Sequence, residues 1–159
     1  MAANARRDRP AARRLRAGRN RVRLRLMVDL DAMGGEPALR RVIATFYDRV
    51  FADVMIGFMF RGRDQQRLVD LETQLTARVM GGQGVYEGRS MRAAHAHLRI
   101  NRGQYLRRNQ ILRETLRDLD VPEDVQRAWL SHAVALERAI LGGREDPECK
   151  PIGSDVSDP

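Results

Sequence analysis

Cysteine, lysine and tryptophan occur once each in 159 residues, as Cys149, Lys150 and Trp129. A lone thiol permits neither an intrachain disulfide nor a cysteine-based metal cluster, so the fold must rest on burial of apolar side chains. At 18.1 kDa, 43% hydrophobic and 31% charged, the chain suits one globular domain, and a domain of this size buries roughly two thirds of its unfolded surface. Long apolar runs are missing too. The uncharged stretch 128–136 is about half of the ~18 residues that a membrane-spanning helix needs, which predicts a cytoplasmic protein with no membrane partner. Also absent are the Gly-x-Ser-x-Gly turn of hydrolases, a phosphate-binding glycine loop and a dinucleotide fingerprint. Reactions run by side chains alone or by nucleotides are thereby disfavoured.

Acids are nearly absent from the beginning of the chain. Residues 1–25 hold ten arginines against Asp8, a local charge of +9, while the whole chain carries +8, so residues 26–159 sum to −1. Basicity therefore belongs to an arm. Such an arm would release counterions from a phosphate backbone, and a basic helical protein that binds nucleic acid through it is one reading of the chain. No aromatic residue interleaves the arginines to stack on bases, and no apolar stretch follows them as a secretory signal requires. Nucleic acid is therefore the lesser reading. Residues 1–27 are expected to be a disordered arm, an upstream extension ahead of Met27, and residues 142–159 a disordered tail rich in Gly, Pro, Asp and Ser. The domain is expected over 28–141.

Within that domain the apolar period is helical. Leu39, Val42, Ile43, Phe46, Tyr47 and Val50 share one stripe of a helix predicted over 36–52. A short apolar segment at 56–60 follows. The next helix is predicted over 64–80, with Leu68, Leu71, Glu72, Leu75 and Val79 inward and Gly81-Gly82 as its stop. A glycine loop leads to a short helix near 90–97, then a longer one over 100–119. Asp120-Val121-Pro122 breaks the chain, and a last helix carries Val125, Trp129, His132, Ala133, Leu136 and Ile140 inward. The fold class is all-α.

Three residues interrupt this pattern. Glu72 places a carboxylate in an apolar stripe, and Arg108 shares a face with Tyr105 and Leu112. His95 lies among Ala93, Ala94 and Ala96, where little bulk crowds the ring. Each admits a plain structural explanation: a snorkelling arginine, a satisfied carboxylate, an exposed histidine. The other histidines, His97 and His132, have no cysteine or acid at ligand spacing.

The order of landmarks changes their weight. Gly34-Gly35 precedes the first long helix; Phe46-Tyr47, Arg49-Val50 and Ala52-Asp53 follow, then Phe58-Met59-Phe60 with Gly62, Gly81-Gly82, and Tyr86-Glu87-Gly88-Arg89. Last comes Met91-Arg92-Ala93-Ala94-His95, with Leu98, Ile100 and Tyr105 behind it. Over about residues 33–141 this set resembles the truncated haemoglobins, and among them the group with two Gly-Gly pairs. The resemblance implies a two-over-two sandwich of helices enclosing haem b, with His95 as the proximal iron ligand. It also implies haem contacts from Phe60, Met91, Ile100 and Tyr105, and a distal ligand pocket of Tyr47, Leu68, Glu72 and Arg108. Tyr47 takes the role of hydrogen-bond donor to bound O₂, since leucine at position 68 cannot donate. Relatives often have glutamine where this chain has Glu72, and an apolar residue or tryptophan where it has Arg108. A bare carboxylate would repel electron-rich bound oxygen, so Glu72 needs a counter-charge, and Arg108 is the inward base on offer.

The function implied is reversible binding of O₂ or another diatomic, NO or CO, at ferrous iron. NO dioxygenation to nitrate, or peroxidase-like turnover fed by an external reductase, is the alternative. Because all the excess charge precedes Met27, a chain starting there is expected to keep its haem content and its melting temperature. Loss of haem-loaded protein on that truncation would show that the arm packs on the body.

Overall fold

Three helices in this chain start at short polar side chains. Asp64 Oδ1 accepts from the Arg67 amide at 3.0 Å, and Ser90 Oγ accepts from the Ala93 amide at 3.3 Å. Asn101 and Gln104 cap one another reciprocally, each side chain accepting from the other's amide, at 2.8 and 3.0 Å. These bonds satisfy amides that the first helical turn leaves free. The computed structural model describes residues 30–142. The expected arm lies outside them, as does the expected tail beyond Gly142.

Six α-helices result: α1 Gly35–Ala52, α2 Gln65–Val79, α3 Met91–His95, α4 Arg102–Asp118, α5 Glu123–Ala135 and α6 Glu137–Leu141. Two 3₁₀ turns, Leu30–Met33 and Gly57–Phe60, precede α1 and α2 respectively, and no strand occurs among the described residues. α1 packs on α2 and α4, α4 packs on α5, and α3 packs on α6. One helix pair thus lies over another. The core between them is built from Leu39, Ile43, Phe46 and Val50 of α1, Leu112 and Leu116 of α4, and Val125 and Trp129 of α5. All six residues of the predicted α1 stripe are buried.

α2 departs from expectation. Its buried residues are Val69, Thr73, Thr76 and Ala77, whereas Leu68, Leu71, Glu72, Leu75 and Val79 are only half-buried. Threonine can face a core when its hydroxyl bonds within its own helix, as Thr73 Oγ1 does to the Val69 carbonyl at 2.7 Å. The more apolar face of α2 therefore lies beside the core instead of in it. Gly81-Gly82 does end the helix: Gly81 takes a left-handed φ of 96°, and the Gly82 and Gly81 amides return to the Ala77 and Arg78 carbonyls at 2.8 and 3.3 Å.

The last helix, expected as one piece, breaks at Leu136, whose amide is shared between the His132 and Ala133 carbonyls at 3.2 Å each. That tight turn redirects the chain so that α6 seats against α3. Asp53 performs a comparable task after α1. Its carboxylate, 6% exposed, accepts from the Met55 and Ile56 amides at 2.9 and 3.1 Å and from Arg107 Nε and Nη2 at 2.9 and 2.7 Å. The Arg107 guanidinium, with the two amides, holds this carboxyl below its ordinary value. A depressed folded pKa contributes stability that is complete above the unfolded value and is lost as pH falls through the folded one. Asp53→Asn is therefore expected to lower the melting temperature at neutral pH and to narrow its gap to wild type as pH drops below the ordinary aspartate range, in melts across an acid series. A gap independent of pH would remove the ionised carboxylate from the account.

Candidate functional site

Three helices bring one polar group each to a common point. Tyr47 comes from the middle of the buried α1 stripe, Glu72 from the half-buried face of α2, and Arg108 from α4. The Tyr47 hydroxyl donates to Glu72 Oε2 at 3.1 Å, and Arg108 Nη2 donates to Glu72 Oε1 at 2.7 Å. Each carboxylate oxygen thus has its own donor. The Arg108 guanidinium also lies 4.7 Å from the centre of the Phe46 ring, within cation–π range. Its Nη1 reaches Asn109 Oδ1 at 3.4 Å. Burial, and after it the Glu72 charge, push the Tyr47 phenol well above its ordinary value, with Arg108 opposing. The structure therefore brings Tyr47, Glu72 and Arg108 together as a hydrogen-bonded ion pair with a phenol attached.

An aromatic group continues from this point. Tyr47 meets Phe46, Phe51 and Phe60 edge-on, at centroid distances of 5.1, 6.4 and 6.4 Å. Leu68 lies half-buried one turn before Glu72.

His95 ends α3, the short helix set by Ser90. Its Nδ1 lies 2.8 Å from the Met91 carbonyl oxygen, four residues back. A carbonyl only accepts, so Nδ1 carries a proton, and in the neutral ring Nε2 keeps its lone pair. His97, two residues further on, is exposed. Met91 and Ile100 are half-buried on either side of this turn. Tyr105 is buried, and its hydroxyl donates to the Ala133 carbonyl at 2.5 Å, so it ties α4 to α5 and has only its ring to offer a ligand. His95 and the Tyr47 group sit on separate elements, α3 against α6 and α1 with α2 and α4.

Three further features complete the site. Tyr86 folds over Gly88, where an added Cβ would come within 2.2 Å of its ring, and its hydroxyl donates to the Arg89 carbonyl at 2.8 Å. That closure shapes the approach to α3. Phe46 supports the guanidinium, a role without its own sequence signal beyond adjacency to Tyr47. His132 of α5 has a buried Nδ1 with no hydrogen-bond partner; burial lowers its pKa, the Glu72 charge raises it and Arg108 lowers it. Its place on the inward face of the last helix was legible, its proximity to the ion pair was not. A cavity of about 380 Å³ lies elsewhere, lined by Met33, Val42, Leu119 and Val121 among others, and borders none of these residues.

The helix order and the pairing of helices are those of a two-over-two globin. A sequence profile of the bacterial-like globins matches residues 30–141. A group 1 truncated haemoglobin of Synechocystis is 30% identical over 117 residues, 70% of this chain and 94% of that protein. Another, from Tetrahymena pyriformis, is 26% identical over 95 residues, 60% of this chain and 78% of that protein. Among solved structures, the 2/2 haemoglobin of Synechococcus sp. PCC 7002, in the cyanomet state with covalently attached haem, superposes with a TM-score of 0.67 at 24% identity, over 71% of this chain and 97% of that one. The chain belongs to the bacterial-like globins, among the group 1 truncated haemoglobins, a family that binds haem and gaseous ligands.

The residues present fit a haem. An imidazole with Nδ1–H tied to a backbone carbonyl and Nε2 free is the donor that haem iron takes from a proximal histidine. The half-buried apolar side chains Leu68, Leu71, Leu75, Phe60, Met91 and Ile100 suit the faces of a flat macrocycle.

Glu72 and Arg108 retain 20% and 24% of their side-chain surface, so their coupling is expected at about 1–2 kcal/mol, below that of a fully buried pair. In a double-mutant cycle read by chemical denaturation, Glu72→Gln and Arg108→Leu should each destabilise, and the double variant should recover that coupling. Strict additivity would sink the pair.

Proposed function

We propose that this chain binds haem b through His95 and holds O₂ or another small gaseous ligand on the side where Tyr47, Glu72 and Arg108 meet. The observation that carries this reading is the His95 ring: its Nδ1–H bond to the Met91 carbonyl fixes the ring's orientation and leaves one nitrogen for a metal. When bound, haem supplies a ferrous iron with one open coordination position for the gas. The chain supplies the rest. Ser90 starts the turn that carries His95, and α6 backs it. Phe60, Met91 and Ile100 provide apolar contact, which also excludes water. Leu68 offers bulk without a proton.

A second reading, redox turnover of NO or peroxide with electrons from an external reductase, draws support from the Glu72–Arg108 pair. A carboxylate and a guanidinium at one point offer an acceptor and a donor that can orient a polar co-substrate by charge-assisted hydrogen bonds.

Replacement of His95 by alanine is expected to abolish the Soret band of the reconstituted protein, or to leave a band that external imidazole restores. His97→Ala should leave it unchanged. If the two outcomes were reversed, the ligand assignment would be wrong.

A further inference from the structure

The Tyr47 hydroxyl has one proton, and it is given to Glu72 Oε2. Arg108 donates to the other oxygen, so both Glu72 oxygens serve as hydrogen-bond acceptors. The phenol oxygen then offers its remaining lone pairs. The guanidinium spends Nη2 on Glu72, turns Nη1 to Asn109 Oδ1 and lies against the Phe46 ring. The groups around this point from every packed element are Tyr47 of α1, Glu72 of α2, Tyr86 of the loop before α3, Arg108 of α4 and His132 of α5. Tyr86 spends its own proton on the Arg89 carbonyl.

From this geometry we infer that Glu72 is a specificity-determining residue: by taking the Tyr47 proton it replaces the pocket's phenol donor with accepting oxygens, which favours small ligands that carry a hydrogen to donate, such as hydrogen sulfide or hydrogen peroxide, over O₂, which can only accept. The inference rests on the haem reading above and deepens it by naming a ligand class. O₂ still enters, but it receives no hydrogen bond from Tyr47 and leaves fast. A protic ligand gains a charge-assisted bond to the carboxylate, and such bonds are roughly twice as strong as neutral ones.

The test uses the full chain loaded with haem, as wild type, Glu72→Gln and Glu72→Gln combined with Tyr47→Phe. An amide is a weaker acceptor, so Glu72→Gln frees the phenol proton for the ligand. It is expected to slow O₂ dissociation about tenfold, equivalent to about 1.4 kcal/mol, and to weaken hydrogen sulfide binding to the ferric form by a similar factor. Adding Tyr47→Phe to Glu72→Gln is expected to abolish that slowing, because no phenol proton is then left to give. A slowing that persists in the combined variant, or an unchanged release in Glu72→Gln, overturns the inference. Should Glu72→Gln alone fail to fold, the same rates are read in Glu72→Gln combined with Arg108→Leu. A readout free of haem accompanies these: in the apoprotein, the ring-carbon signal of ¹³C-labelled Tyr47, assigned with Tyr47→Phe, should move on Glu72→Gln. An unmoved signal overturns the inference even where haem binds normally. Absence of a Soret band on reconstitution overturns the haem reading instead, and the ligand class with it.

Discussion

A carboxylate on the inner side of a helix pair is the constraint from which the site is built. Glu72 sits on α2 with a fifth of its side chain exposed, too little water to solvate a charge cheaply. Its two oxygens are answered by a guanidinium from α4 and a phenol from α1. Because these partners lie 36 and 25 residues away in the chain, the bonds close only when three helices have reached their places. Satisfying one charge thus fixes the relative position of α1, α2 and α4. The Phe46 ring under Arg108 and the edge-on rings around Tyr47 then limit where either partner can swing.

The same constraint explains the division of α2 into two faces. One face buries Val69, Thr73, Thr76 and Ala77 in the helical core; the other keeps Leu68, Leu71 and Leu75 beside Glu72, half-buried. A helix optimised only for stability would turn its leucines inward, since a buried leucine contributes about 1.5–3 kcal/mol over an exposed one. Here small and hydroxylated residues take the core face, where close packing of α1 on α2 favours them. The leucines line a surface suited to a flat apolar ligand. The cost in apolar burial is carried by α1 and α4, whose stripes run through Leu39, Ile43, Phe46, Leu112 and Leu116.

Much of this was legible in the sequence, and for identifiable reasons. The α1 stripe has a strict helical period with no competing face, so its six inward residues all proved buried. Glu72 and Arg108 stood out because a charge inside an apolar stripe is rare, and their meeting followed from the need to neutralise a carboxylate. The α2 core face was misread because hydrophobicity ranks leucine above threonine, while the Thr73 hydroxyl is satisfied by its own helix and carries no burial penalty. The break at Leu136 had no warning, since neither glycine nor proline marks it; it is made by a shared amide and by the docking of α6 on α3. Asp53 stood out only as a landmark beside Ala52; its structural role was hidden because its partner, Arg107, comes 54 residues later.

The two sides of the proposed haem site differ in how they are held, and the difference bears on which side can change. His95 is oriented by a bond within its own short helix, so its geometry is local: it depends on five residues and on the backing of α6. Tyr47, Glu72 and Arg108 are oriented by one another and by the aromatic rings around them, across three long helices. A substitution on the His95 side perturbs one turn, whereas one at Glu72 releases a phenol proton and a guanidinium at once. In the ligand preference inferred for Glu72, exchange of the acid for its amide adds donors to a group that only accepts while leaving side-chain volume almost unchanged. That is a short chemical step, and it leaves the apolar frame of α1, α4 and α5 untouched.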